Sequence, residues 1–257
     1  MLSKGLKTIA LAGLMAGTGA GAASAFSTTE IQALYGDGFH FGKNGAGETA
    51  RTTITLEHFT AFEYGDVFFF VDLNQDFDGP ASGRDTDQYG EIYGHLSAKT
   101  VGLDFSDSGL IRDVGLDVGI NQGTDFLVGL YGARVDFNVP GFNVLTFGLY
   151  AYDNLEDPFD RNLDTTYQAT VVWNAPFEIG GQKFSTQGFI DFIGDQGSGV
   201  DDQIVFQPQL RWDIGHAMGG KENRLNLGLE YAYFENKFGV SGVDDNVLQV
   251  FLAWKLH

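Results

Sequence analysis

RTTITLEHFTAFEYGDVFFFVDLN, residues 51–74, reads as two strands joined by the turn Glu63-Tyr64-Gly65. Successive side chains of a strand point to opposite faces. In the first run Thr53, Thr55, Glu57 and Phe59 share one face, with Thr52, Ile54, Leu56 and His58 on the other. In the second, Asp66, Phe68, Phe70 and Asp72 alternate with Val67, Phe69, Val71 and Leu73. Each strand therefore has one apolar side and one side where carboxylates sit among aromatic rings. A soluble sandwich hides its apolar face in a core. A barrel in lipid turns that face outward and keeps charge and rings in a wet interior.

The remaining sequence favours the barrel. Residues 1–25 carry Lys4 and Lys7, an apolar run broken by glycine, and Ala23-Ser24-Ala25, the layout of a secretory signal peptide cleaved after Ala25. Residues 26–257 then form the exported domain. Charges interrupt every later apolar run, so no spanning helix is expected. With no cysteine, neither a disulfide framework nor a thiolate metal site is available. The net charge of −19 becomes −21 once Lys4 and Lys7 are removed. Such an acidic chain repels phosphates, which excludes a nucleic-acid partner. Abundant glycine (36), scarce proline (5) and 14% aromatics suit strands that are only half apolar.

Residues 26–257 divide into about twelve alternating runs, an even count as in bacterial outer-membrane barrels. The first is expected over 28–35, followed by a loop over 36–48, with a second long loop over 74–88. A fourth strand, 89–99, sets Glu91, Tyr93, His95, Ser97 and Lys99 opposite Ile92, Leu96 and Ala98. The fifth alternates Val114, Leu116, Val118 and Ile120 with Asp113, Gly115, Asp117 and Gly119. The sixth, 125–137, does not reveal its inner face. The last sets Leu248, Val250, Leu252 and Trp254 against Gln249, Phe251 and Lys255. Outward faces carrying Trp173, Trp212, Tyr231, Tyr233 and Trp254 suggest aromatic girdles at the water–lipid boundary. Connections after odd-numbered strands are expected to be generally longer and acidic, with a short exception after the fifth, and those after even-numbered strands mostly short. The fold class is thus all-β, an antiparallel up-and-down transmembrane β-barrel of about twelve strands in the cell outer membrane.

Thr55-Leu56-Glu57, Asp66 to Asp72, Glu91-Ile92, Gly129-Leu130, Asp136, Pro140, Pro176, Gly180-Gly181-Gln182 and Gly188 to Asp191-Phe192 carry a further likeness. On these residues the chain resembles the Tsx family of nucleoside-specific outer-membrane channels. The resemblance implies a monomeric twelve-stranded barrel through which nucleosides and deoxynucleosides pass passively. A nucleoside presents a flat base and a hydroxylated sugar. Phe59, Phe68, Phe70, Tyr93 and Tyr150 offer rings for stacking. Glu57, Asp66, Asp72 and Glu91 offer acceptors for hydroxyls and amines. Lys99, Arg211 and Arg224 would balance those acids and supply donors. Repeated weak sites suit conduction, because a permeant must leave as easily as it enters. The same residues also suit a general or structural porin without base preference, whose lumen acids and rings merely brace the wall. Outside membranes, the runner-up is an extracellular carbohydrate-binding β-sandwich.

Two other chemistries have only partial patterns in the sequence. Asn74, Asp76, Asp78 and Gly79, with Asp85 beyond, approach a calcium-loop pattern but depart from it at both ends. A solvated acidic hairpin loop is the better reading, so no metal and no cofactor are expected. The five histidines join no G-x-S-x-G elbow, and His95 with Ser97 is a spacing that any strand produces. No catalytic residues are assigned.

Overall fold

The computed structural model describes residues 26–41, 47–77, 85–105, 109–197 and 199–256. The signal-peptide reading and the Asp78 and Gly79 positions of the calcium pattern lie outside them. Twelve strands close into one antiparallel barrel, each paired with its sequence neighbours, and β1 pairs with β12. They are β1 Phe26–Phe41, β2 Gly47–Phe62, β3 Gly65–Asp76, β4 Thr86–Ser97, β5 Ile111–Gly123 and β6 Phe126–Phe137. There follow β7 Val144–Glu156, β8 Thr166–Ile179, β9 Gln182–Ile193, β10 Gln203–Trp212, β11 Leu225–Glu235 and β12 Asp245–Lys255.

Burial alternates along the strands in the sense opposite to that of a soluble protein. On β12, Val247, Gln249, Phe251 and Ala253 are buried, while Leu248, Val250, Leu252 and Trp254 are exposed. Ile54, Leu56, Val71, Leu73, Ile92, Leu96, Leu116 and Leu229 are likewise exposed. Polar and charged residues outnumber apolar ones among the buried side chains. An apolar belt of this extent has hydrocarbon as its solvent. Exposed Tyr35 and Tyr167 mark one end of the belt; Trp212, Trp254 and Phe177 mark the other.

Several boundaries differ from the sequence expectation. β1 runs on to Phe41, because Asp37, Phe39 and His40 continue to pair with Ala50, Thr49 and Glu48 across a bulge after Asp37. β3 and β4 take up both ends of the expected loop over 74–88, reaching Asp76 and restarting at Thr86. Lys99 belongs to a single 3-10 turn, Ala98–Val101, capped by the Ser97 side chain, so it is not a strand residue. The alternation of connection lengths also fails in two places. The connections β4–β5 (98–110) and β10–β11 (213–224) are long, although both lie at the end that holds the termini. The second contains a one-turn helix, Ile214–Ala217, whose His216 amide is capped by Asp213. β6 resolves its inner face as Val128, Leu130, Arg134 and Asp136, with Tyr131 outward.

Val118 lies mid-strand on the outward face of β5 and is exposed. Val118→Arg is expected to destabilise the folded barrel by about 2–4 kcal/mol, as a guanidinium near the bilayer midplane does. Urea titration of the protein in lipid vesicles, read by the shift between folded and unfolded gel mobilities, measures it.

Candidate functional site

The inward faces divide into buried bracing clusters and a partly exposed remainder, the candidate path. One cluster spans β3 to β7. Arg134 on β6 reaches back to β3 and pairs with both carboxylate oxygens of Asp66. It also holds Asp136 at 2.8 Å and approaches Asp117 at 3.7 Å. Asp117 accepts from the Tyr150 hydroxyl at 3.0 Å and lies 2.5 Å from His95 Nδ1. His95 Nε2 and the Ser97 hydroxyl both meet Asp113, at 3.3 and 2.8 Å. Ser97 thus gives its proton to a carboxylate and not to His95, and no nucleophile–base pair forms there.

A second cluster spans β10 to β1. Arg211 Nη1 donates to Glu30 at 2.9 Å, and its guanidinium lies 5.2 Å from the Phe251 ring centroid. Gln209 links Gln32 at 3.0 Å to Glu230 at 2.6 Å, and Gln249 donates to Glu230 at 2.8 Å. A third cluster sits at the mouth away from the termini. Arg51 grips Asp76 by two hydrogen bonds, 2.7 and 3.0 Å, while Thr53 donates to Asn74 at 2.7 Å. Two of the calcium-pattern positions are therefore built into the strand wall, and Asp76 is buried, not solvated. Among the described residues no group of three or more His, Asp or Glu side chains is placed to hold a metal ion.

All ten residues singled out in the sequence have inward strand parity, but they divide into two kinds. Asp66, Tyr150 and Arg211 are consumed by the bracing clusters, and Tyr150 and Arg211 are buried. Glu57, Phe59, Phe68, Phe70, Asp72, Glu91 and Tyr93 keep partial exposure along the path. Lys99 ion-pairs with Asp104 at 3.6 Å at the rim, and half-buried Arg224 precedes β11. Neither balances the lumen acids, contrary to the sequence expectation.

Two features of the path emerge only in three dimensions. First, Glu57, Asp72, Glu91, Asp191 and Glu230 come from β2, β3, β4, β9 and β11; Asp72 lies within electrostatic reach of Glu57, Glu91 and Glu230, and Asp191 within reach of Glu91. Their hydrogen-bond donors are mostly neutral: Thr55 to Asp72 at 2.5 Å, Tyr89 to Glu91 at 2.6 Å and Thr170 to Asp191 at 2.5 Å. Second, rings form a continuous ladder along one wall. Phe68 meets Phe70 at 6.1 Å between centroids, Phe70 meets Tyr89 at 6.0 Å, and Tyr89 meets Phe126 at 6.4 Å. The ladder continues to Phe238, 5.9 Å from Phe126, in the connection between β11 and β12. Asp191, Glu230, Tyr89, Phe126 and Phe238 were not picked out in the sequence. Strand parity alone points to Tyr89 and Glu230; nothing local points to Phe238.

At the same mouth, Asp157 accepts from the Arg161 side chain at 2.7 Å and from the amides of Phe159 and Arg161 at 3.0 and 2.8 Å. Burial opposes its charge, but these donors outweigh burial and hold its carboxyl below the usual range. On the outer wall, His58 Nδ1 lies 2.8 Å from the Thr29 hydroxyl and its ring stacks on Phe69 at 5.3 Å.

A closed sheet, an apolar outer belt and a charged lumen define an outer-membrane β-barrel. No protein-family model matches the chain, and no curated protein matches it. Among solved structures it is similar to a KdgM porin in complex with disordered oligogalacturonate, at 9% identity and a TM-score of 0.49 over 90% of this chain and 100% of that one. It is also similar to the NanC porin, at 10% identity and a TM-score of 0.49 over 88% of this chain and 97% of that one. OprB of Pseudomonas putida follows at 10% identity and a TM-score of 0.32, over 90% and 93% of the two chains. These likenesses bring no solute with them.

Arg134→Met strands Asp66, Asp117 and Asp136 in a partly buried cluster. It is expected to lower stability by about 3–5 kcal/mol, the effect of removing one partner from a buried ionic network. Adding Asp66→Asn is expected to recover part of the loss in the same vesicle unfolding measurement.

Proposed function

We propose that the protein is a passive channel for small polar solutes that carry a flat ring, nucleosides and deoxynucleosides foremost, acting as a monomer. The ring ladder beside inward carboxylates carries this reading. A base slides from one half-buried aromatic face to the next, each stacking contact being worth about 1–3 kcal/mol. Sugar hydroxyls and base amines meanwhile donate to Glu57, Asp72 and Glu91 on the ladder side and to Asp191 across the path. The resemblance to Tsx channels points the same way. Carboxylates encircling a pore favour cations over anions, so neutral and cationic solutes pass in preference to anionic ones. The acidic mouth away from the termini is proposed to face the cell exterior. Transport in place of catalysis is supported by Ser97, whose hydroxyl is committed to Asp113.

A second reading is a small-solute channel without base preference. The amide and hydroxyl lining opposite the ladder favours it: Asn174 donates to Gln187 at 2.8 Å, and Thr170 lies beside Gln168 at 3.0 Å. Uptake into liposomes separates the two. Phe68→Ala combined with Phe70→Ala is expected to reduce adenosine and thymidine flux several-fold more than the flux of a sugar of similar size. Equal losses for both solutes favour the second reading.

The lumen carboxylates have their own measurement. Glu91→Gln combined with Asp191→Asn is expected to bring the potassium-to-chloride permeability ratio toward one. The reversal potential across a planar bilayer under a potassium chloride gradient reports that ratio.

A further inference from the structure

The last rung of the ladder is not part of the wall. Phe238 belongs to the connection between β11 and β12, and it occupies a left-handed conformation, φ 57° and ψ 29°. A bulky side chain rarely adopts this geometry, so the surrounding contacts must impose it. They are present on every side. Arg161, from the β7–β8 connection, donates to the Phe238 carbonyl at 2.9 Å, and Asp157 holds Arg161. Asn236 donates to the Asp202 carbonyl at 2.9 Å, and the Asp201 amide donates to the Gly239 carbonyl at 3.1 Å. Three connections thus interlock over one mouth and press the Phe238 ring between Phe126 at 5.9 Å and Phe234 at 5.7 Å.

Beneath this ring lies a cavity of about 10 Å³ lined by Phe126, Tyr152, Asn154, Arg161, Gln203 and Phe238, among others. It has room for no more than about one water molecule. Asn154 Oδ1 is buried there without a hydrogen-bond partner. A buried acceptor left unpaired beside two aromatic faces matches a flat heterocycle that bears an N–H donor. Phe238 supplies the flat ring but no donor.

We propose that Phe238 is a built-in occupant of a ring-binding subsite at the acidic mouth, latched by Arg161 in the place where the ring of an entering solute is received. The subsite takes a planar nitrogen heterocycle, which stacks on Phe126 and donates to Asn154 Oδ1 while Phe238 swings clear. Strain in the Phe238 backbone favours its departure once an equivalent ring arrives. The proposal rests on reading the ladder as a solute path, but not on a preference for nucleosides over other ring-bearing solutes.

Planar-bilayer recording with the full barrel tests it, using only variants that keep the folded gel mobility. Phe238→Gly removes the ring and relieves the backbone; Arg161→Ala releases the latch from a different connection. Both are expected to carry several-fold more potassium chloride current than the unsubstituted protein. Adenine is expected to block the Phe238→Gly current at concentrations several-fold below those at which ribose does so, by refilling the vacated place. Unchanged current in both variants, or equal block by adenine and ribose, overturns the proposal. An opened, adenine-sensitive Phe238→Gly channel alongside equal liposome uptake of adenosine and sugar by the unsubstituted protein would keep the subsite and remove the nucleoside preference.

Discussion

Every feature of this molecule follows from the requirement that a backbone amide in hydrocarbon find a partner within the protein. The requirement is most exposed at the seam where the first strand meets the last. There the β1–β12 pairing runs only from Glu30 opposite Lys255 to Tyr35 opposite Val250, much shorter than the β1–β2 or β2–β3 ladders. Polar contacts extend it at both ends. The Leu256 amide donates to the Thr29 carbonyl at 2.8 Å. At the other end Asp245 accepts from the His40 amide at 2.7 Å, and Lys237 donates to the His40 carbonyl at 3.0 Å. Pro208, which has no amide to donate, sits where β10–β11 pairing lapses between Phe206 and Gln209. Its side chain faces lipid, where the missing donor leaves no side-chain partner stranded.

Closure fixes the direction of every side chain, and that explains why the lumen is charged. With the apolar faces committed to lipid, alternation leaves the other face of each strand pointing at its counterparts across a narrow interior. Polar groups there need partners, and the geometry supplies them from strands that are not neighbours: Arg134 to Asp66, Arg211 to Glu30, Gln209 to Gln32. These cross-lumen links fill two sides of the barrel. What they leave are inward side chains that keep partial exposure, among them Glu57, Phe68, Phe70, Asp72 and Glu91. The proposed path is the part of the interior that the struts do not use.

This division explains what could be read from the sequence. Parity was legible wherever a strand contrasts carboxylates or amides with aliphatics, as in β2, β3, β5 and β12. It was illegible in β6, because Val128 and Leu130 point inward while Tyr131 points out, which reverses the usual contrast. Composition misled at the end of β1, where glycine and aspartate suggested a loop and the chain instead goes on pairing with β2. Local pattern also cannot tell a strut from a lining residue. Asp66 and Asp72 lie on one face of one strand, yet Asp66 is clamped by an arginine 68 positions away and Asp72 only by a neighbouring threonine. The partner, not the pattern, decides availability.

The two mouths complete the argument, because they differ in charge and in how they are covered. Lys99, Arg112, Lys183, Lys221, Arg224 and Lys255 gather at the end that holds the termini, while the opposite rim carries Asp157, Asp160, Asp164, Asp195, Asp201 and Asp244. Like charges on a rim repel one another unless they are tied down. On the acidic side the ties among the described residues include Arg51 on Asp76, Arg161 on Asp157, Lys237 on Asp245 at 2.5 Å, and backbone amides on Asp244 and Asp195. Arg161 also donates to the Phe238 carbonyl at 2.9 Å, so one of these ion pairs is tied directly to the connection between β11 and β12. The barrel is therefore enforced by lipid, and the arrangement of the connections over its acidic mouth by ion pairs and backbone hydrogen bonds.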